Sequence, residues 1–161
     1  MFIPGRQNGC MTPLSIRPMT RDDWSWIQSW YQDEAIDREL GPVDDEWLEH
    51  VLTAEDGMQL VVEEEHRPAA LIGCVWDPRG IEHGITDIAV DPERRGTGIG
   101  RRAIEAALTW PGHPPTARWI AFVDPENPAA HRFFTALGWR AEGLDDDMHR
   151  FSRAHTSEPV V

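Results

Sequence analysis

The sequence predicts a single mixed α/β domain, and three observations predict it. A chain of 161 residues with 40% hydrophobic content has room for one real core. Strand-like and helix-like apolar patterns follow one another as strand, two helices, three strands, helix, strand, helix and two strands, an order that suits a mixed sheet with helices on both faces. No internal repeat or long linker interrupts that order. Residues 1–12 are expected to be a flexible leader, 13–154 the domain and 155–161 a flexible tail. Met11 is a second candidate start, because the first strand pattern begins just after it.

The elements follow in order. Leu14-Ser15-Ile16-Arg17 alternates apolar and polar, as a half-buried strand does. Thr20-Arg21-Asp22-Asp23 resembles a capping box with Asp in the Glu/Gln place. In the helix that follows, Trp24, Ile27 and Tyr31 share a face, with Trp26 and Trp30 beside them. The segment Asp33–Pro42 has no clean period and ends in the breaker pair Gly41-Pro42. Asp44 or Asp45 can cap a second helix to about Ala54. Met58–Glu63 and Ala69–Val75 are expected as a hairpin around Glu64–Pro68, and Ile85–Val90 as the next strand. The helix opened by the glycine loop stops at Pro111–Pro115. Ala117–Val123 is a further strand, and Pro128–Leu137 is a helix with proline in its first turn and Gly138 after its end. Trp139–Glu142 and Met148–Arg153 close the order around the loop Gly143–Asp147.

Composition excludes several function classes. No apolar run is long enough to span a bilayer, so no membrane role is expected. The N-terminus lacks the pattern of a signal peptide, and a cytoplasmic protein is the default. Cys10 and Cys74 make neither a disulfide framework nor a metal spacing, and no metal is expected. The net charge of −13 argues against general nucleic-acid binding. All 15 basic residues are arginine. That removes a lysine Schiff base and the lysine of a P-loop NTPase.

The charge is uneven. Thr20–Gly57 holds 12 acids against two arginines, whereas Arg94–Arg102 holds four arginines and no acid. Within the latter, Arg95-Gly96-Thr97-Gly98-Ile99-Gly100 joins a strand to a helix, a joint whose unpaired N–H groups suit a phosphate. Arginines at the positive end of a helix dipole are unfavourable without an anion. The Gly-x-Gly-x-Gly spacing departs from the dinucleotide fingerprint, and the acid that pattern needs about 20 residues later is missing.

A second segment begins downstream, after a strand: Asn127-Pro-Ala-Ala130-His-Arg-Phe133-Phe134-Thr-Ala-Leu-Gly138-Trp139. Together the two segments resemble the GNAT superfamily of acyl-CoA-dependent N-acetyltransferases. The first matches its [Gln/Arg]-x-x-Gly-x-[Gly/Ala] motif after a strand ending Ala-Val-Asp-Pro. The second matches its Asn-x-x-Ala-x-x-Phe/Leu-Tyr-x-x-x-Gly-[Phe/Trp] helix. The resemblance covers nearly the whole chain, from Leu14 to Arg153. It implies a GNAT-type central sheet of six to seven strands, mostly antiparallel with one splayed parallel pair, and about four helices.

It also implies acetyl-CoA as co-substrate. The splayed strands would be Ile85–Val90 and Ala117–Val123. Backbone groups of Ile88, Ala89 and Val90 would pair with the pantetheine arm. Amides of Arg95, Gly96, Thr97, Gly98, Ile99, Gly100 and Arg101 would hold the pyrophosphate. Asn127 would hydrogen-bond the pantetheine, with Phe133 or Phe134 packed against its end. The implied reaction is direct acetyl transfer to an amine, which must lose a proton first. A strand N–H near Val90 would stabilise the oxyanion formed on attack. Many members carry a tyrosine as acid for the leaving thiolate where this chain has Phe134, and the only tyrosine here is Tyr31. His131, one helical turn before Phe134, is a candidate acid. Candidates for the base are Asp87, Glu82 and His83, with a water chain as the alternative. Strand alternation places Thr86 and Asp87 on opposite faces.

The acceptor side in this fold is roofed by the first helices and by the loop between the last strands. Here both are acid-dense, with Asp33, Glu34 and Asp37 in one and Asp146 in the other as candidate acceptor contacts. A cleft of one sign concentrates ligands of the other. The expected acceptor is therefore cationic: an aminoglycoside- or polyamine-like amine, or a basic peptide terminus. The layout is similar to aminoglycoside 6'-N-acetyltransferases and ribosomal-protein alanine N-acetyltransferases. The expected assembly is a monomer or homodimer. The rival reading is an acyl-CoA-binding sensor without efficient turnover, and a plain nucleotide-binding protein stands third.

Overall fold

The computed structural model describes residues 12–155. The expected leader and tail, with Met11 and Cys10, therefore lie outside the described residues apart from Thr12 and His155. Among the described residues seven strands form one sheet: β1 (Leu14–Pro18), β2 (Gly57–Glu64), β3 (Arg67–Val75), β4 (Glu82–Val90), β5 (Arg118–Val123), β6 (Arg140–Asp145) and β7 (Met148–Ala154), in the order β1-β2-β3-β4-β5-β7-β6. β4 and β5 are parallel, and every other neighbouring pair is antiparallel. Among the described residues five α-helices cover it: α1 (Trp24–Trp30), α2 (Glu34–Leu40), α3 (Asp45–Thr53), α4 (Ile99–Leu108) and α5 (Pro128–Ala136).

The sheet has a core on each face. Leu60, Val62, Ile72 and Ile85 pack with α4 and α5, whose Ala103, Ile104 and Phe134 are buried there. Val61, Leu71 and Ala89 point the other way, against Ile27, Trp30, Tyr31, Ile36 and Leu48 of the α1–α3 segment. Burying each such aliphatic side chain contributes roughly 1.5–3 kcal/mol. Alternate residues of β2, β3 and β4 thus serve opposite layers. At the start of α1, Asp23 accepts the Thr20 N–H at 2.8 Å and both Arg17 Nη groups at 2.8 and 2.7 Å.

One helix differs from the sequence expectation. α2 fills the segment in which no period is visible. Its N-cap Asp33 accepts from the Ala35 and Ile36 amides at 3.1 and 3.3 Å, and Gly41 ends it at φ 75°. Ile36 is its one buried residue, which is why no apolar stripe betrays it. The last hairpin is also tighter than expected. β6 continues to Asp145, and the turn is only Asp146 and Asp147, both at positive φ (47° and 65°).

Candidate active site

The two parallel strands separate partway along their length. β4 and β5 pair from Glu82↔Arg118 to Ile85↔Ala121, and no further. Beyond that point β5 stays bonded to β7 and β4 to β3, so a wedge opens between them. A cleft of about 740 Å³ occupies it, lined by Ile85–Val90, Ala121–Asp124, α2, the glycine loop and α5. This is the size of an ordinary small-molecule site.

The glycine loop stands at one end of the cleft. Asp91 caps a short 3-10 turn, Pro92–Arg94, by accepting from the Glu93 amide at 3.0 Å. Gly96 and Gly98 then sit at φ 74° and 82°, a backbone that residues with a side chain adopt at a cost. Gly98 is the N-cap of α4 and offers no side-chain cap, so the first-turn amides of the helix have no partner from that residue. Arg95, Gly96 and Gly100 line the cleft. A Cβ on Gly100 would press on Phe133 at 3.3 Å and Val90 at 3.4 Å, so a side chain there would disturb the contact of α4 with α5 and β4. Thr97 donates to the Arg94 carbonyl at 2.5 Å, Ile99 is buried, and Arg101 is exposed on the first turn of α4.

The four arginines do not act as one cluster. Arg94 and Arg102 both reach Glu64, at 3.2 and 2.9 Å, and Arg102 also donates to the Thr12 carbonyl at 2.5 Å. They fasten the loop and helix to β2. Arg95 pairs with Asp33, and Arg101 has no ion-pair partner among the described residues.

α5 supplies the opposite wall. Asn127 lines the cleft and caps the helix, accepting from the Ala130 amide at 3.0 Å. Phe133 and Phe134 line it too. Phe134 stacks on Phe151 with centroids 5.6 Å apart and meets Trp139 edge-on at 5.0 Å, so the position holds no proton donor. His131 points elsewhere, packed edge-on at 5.0 Å against His149 and Phe151, and is not among the lining residues.

Among the candidate bases, Asp87 lines the cleft and Glu82 does not. Glu82 sits where β4 and β5 are still paired. Its Oε2 receives Arg118 and Arg150, each at 2.8 Å. Burial pushes its pKa up, but the two arginines outweigh that and hold it below the usual carboxylate value. His83 is fully buried, with Nδ1 accepting from the Asp77 amide at 3.0 Å and Nε2 lying 2.9 Å from the Pro114 carbonyl. Burial depresses its pKa, so it rests as a neutral structural imidazole.

Asp87 is held in a different way. The β3–β4 register jumps from Gly73↔Asp87 to Cys74↔Ile85, which leaves Thr86 without a partner. That bulge overturns the alternation expected from an unbroken strand. Thr86 Oγ1 donates to Asp87 Oδ1 at 2.7 Å, and both residues line the cleft. Gln59 Nε2, from β2, donates to the same oxygen at 3.3 Å. Asp87 Oδ2 is buried with no partner among the described residues. Burial drives the Asp87 pKa above its ordinary value, against the smaller effect of these two donors.

The acidic candidates for the acceptor side lie around the cleft rather than in it. α2 lines it through Ala35, Ile36, Arg38, Glu39 and Leu40. Asp33, Glu34, Asp37 and Asp146 are not among the lining residues; Asp33 is committed to Arg95, and from the last hairpin Met148 reaches the cleft. Gln59 was missed by sequence reasoning, and Thr86 was expected on the face opposite Asp87. The one available signal was a polar residue inside the apolar run Met58–Val62.

Comparison with known proteins agrees with this geometry. Residues 19–139 match the acetyltransferase (GNAT) family. No curated protein matches the sequence. Solved structures with the same fold include a spermidine N-acetyltransferase from Vibrio cholerae in complex with CoA and spermine, at 19% identity and a TM-score of 0.69, covering 88% of this chain and 95% of that one. AAC(6')-Ib in complex with paromomycin and acetyl-CoA is 17% identical with a TM-score of 0.74, over 88% and 93%. The ribosomal-protein-S18-alanine N-acetyltransferase from Escherichia coli is 17% identical with a TM-score of 0.65, over 92% and 99%. With a splayed β4–β5 pair, a glycine loop opening α4 and a family match over three quarters of its length, the chain belongs to the acetyltransferase (GNAT) family.

Proposed function

We propose that the protein is an N-acetyltransferase that moves the acetyl group of acetyl-CoA directly to a primary amine of a cationic acceptor. The observation that carries this is the shared cleft: one wedge between β4 and β5 is faced by the glycine loop, by Asn127 and by the carboxyl-bearing strand segment at Asp87. The residues present suit coenzyme A. Uncapped amides at the start of α4, with Arg95 and Arg101 beside them, match a pyrophosphate. The open edge of β4 from Ile88 to Val90 offers strand-like pairing to an amide-bearing arm. Asn127 keeps its amide nitrogen available while its oxygen caps α5.

Bound acetyl-CoA supplies an activated acetyl thioester. Asp87 is the group on β4 placed to take the proton that an ammonium must lose before it attacks. A carboxylate raised by burial is a stronger base than an ordinary one, and it works best near its own pKa. Phe134 gives the leaving sulfur no proton, so the thiolate leaves unaided or with water. The acceptor is expected to be polyamine- or aminoglycoside-like, or a basic peptide terminus. The support is the acid-dense Thr20–Gly57 segment around α2 and the amine ligands of the related structures. A cytoplasmic monomer or homodimer remains the expected form.

Phe134 favours a second reading, an acyl-CoA sensor without efficient turnover. Thiol release from acetyl-CoA in the presence of spermidine or a kanamycin-type sugar distinguishes the two. Amine-dependent release supports the transferase. Thermal stabilisation by CoA with no release under any amine supports the sensor.

A further inference from the structure

Gln59 is only 8% exposed, inside the apolar run Met58–Val62 of β2. Its cross-strand partner on β3 is Gly73, whose own partner on β4 is Asp87. Because Gly73 has no side chain, Gln59 reaches over an entire strand to Asp87. A Cβ on Gly73 would collide with Asp87 Oδ1 and Thr86 Oγ1 and come within 2.7 Å of Gln59 Nε2. The gap and the two side chains form one unit.

That unit contains an anomaly. Gln59 Oε1 and Asp87 Oδ2 are both buried and both lack a donor among the described residues. A buried acceptor left unpaired costs about 1–3 kcal/mol, and more if it is charged. The two orphaned atoms belong to side chains already joined by one hydrogen bond. An ionised carboxylate has no proton to give, but a neutral carboxylic acid has one O–H. A single proton on Oδ2, donated to Oε1, would satisfy both atoms. The amide then donates to one carboxyl oxygen and accepts from the other.

We infer that Asp87 rests as a neutral acid, locked to Gln59 in a two-point acid–amide pair across Gly73, and that Gln59 is the positioning residue that keeps it so. The inference rests on the reading of Asp87 as the proton-accepting group, and it adds that this group must first release a proton. The surroundings agree. Among the described residues no arginine or histidine forms an ion pair with Asp87. Tyr31 and Cys74, from α1's end and β3, have pKa values raised chiefly by burial, Cys74 to about 12, so both stay neutral. The other charged groups facing the cleft are Arg38 and Glu39, paired to each other at 3.2 Å, Arg95, held by Asp33, and Asp124. Burial raises the Asp87 pKa in the same sense.

Asp87→Asn tests the pair, because an amide N–H replaces the acid O–H and preserves both contacts. Thermal unfolding of wild type and variant is compared from about pH 5 to about pH 9. The expected result is similar Tm at the acid end, with the variant gaining roughly 2–4 °C as pH rises and wild-type Asp87 loses its proton. A Tm difference that does not change with pH overturns the proposal. Gln59→Leu should lower the Tm of Asp87→Asn as it lowers that of wild type at the acid end; no loss in the Asp87→Asn background also overturns it. Carbon-13 NMR titration of the wild-type Asp87 carboxyl is independent of how the variants fold. An acid-form signal persisting above the ordinary aspartate range is expected, with a midpoint that Gln59→Leu displaces; an anion signal just above that range, or an unmoved midpoint, counts against the pair. None of these readouts requires turnover, so they stand or fall separately from acetyl transfer.

Discussion

Arg95 of the glycine loop donates to both carboxylate oxygens of Asp33, at 3.0 and 2.5 Å, while Asp33 also caps α2. The hydrogen bonds from Arg95 hold the Asp33 pKa down at about 2. The loop expected to take the pyrophosphate and the helix bordering the acceptor end thus share one ion pair. An incoming phosphate must share Arg95 with Asp33 or take it away. Asp33→Asn keeps a capping residue, removes a nearby anion and frees the guanidinium. It should tighten CoA binding measured by calorimetry, with the gain shrinking as salt rises. Arg95→Ala should weaken CoA binding.

Asp87→Asn should lower kcat by about 100-fold or more while leaving the KM for acetyl-CoA nearly unchanged, since general acid–base groups contribute 10²–10⁴-fold. In the wild type, kcat/KM should rise with pH through the raised Asp87 pKa, because only the ionised form accepts a proton. Stability should move the opposite way. A carboxyl whose folded pKa is raised contributes fully below its unfolded value of about 3.9 and loses that contribution as pH climbs through the folded value. Steady-state profiles and melting curves over the same pH range check both.

Much of this was visible in the chain itself. The strand order and the glycine loop follow from periodicity and spacing, and the splayed pair from the family resemblance that the two motifs carry. What was hidden depends on contacts between distant residues. α2 was hidden because a helix that buries only Ile36 leaves no stripe. The Thr86 bulge was hidden because it is a property of the β3–β4 register and not of either strand alone. Glu82 and Asp87 are five residues apart on one strand. Two arginines from β5 and β7 hold one ionised, while burial makes the other a weak acid. No local pattern distinguishes them.

Gly73→Ala should be costly although it only adds a methyl group. Crowding Asp87, Thr86 and Gln59 at once should destabilise the fold by about 1–3 kcal/mol, as overpacking does. It should also lower turnover beyond what the loss of folded protein explains, because the carboxyl is displaced. Denaturant titration and kcat per folded molecule separate the two effects. Intact kcat in a folded variant would show that the gap at Gly73 does not matter for the site.

Glu82→Gln should behave in the reverse manner. It breaks the contacts to Arg118 and Arg150 that tie β4 to β5 and β7, so Tm should fall while turnover stays unchanged. The folded pKa of Glu82 is depressed, so its contribution is present above the unfolded value of about 4.3 and is lost as pH falls through the folded one. The Tm gap between wild type and variant should therefore close in acid.

Thiol release from acetyl-CoA is the most direct measurement. It should be followed against spermidine, a kanamycin-type sugar, and basic and acidic peptides, with wild type and Asp87→Asn side by side. Rapid release with cationic amines, weak release with the acidic peptide and a large loss in Asp87→Asn is the expected result. Binding of CoA without release under any amine, or release that Asp87→Asn leaves untouched, would contradict acetyl transfer through Asp87.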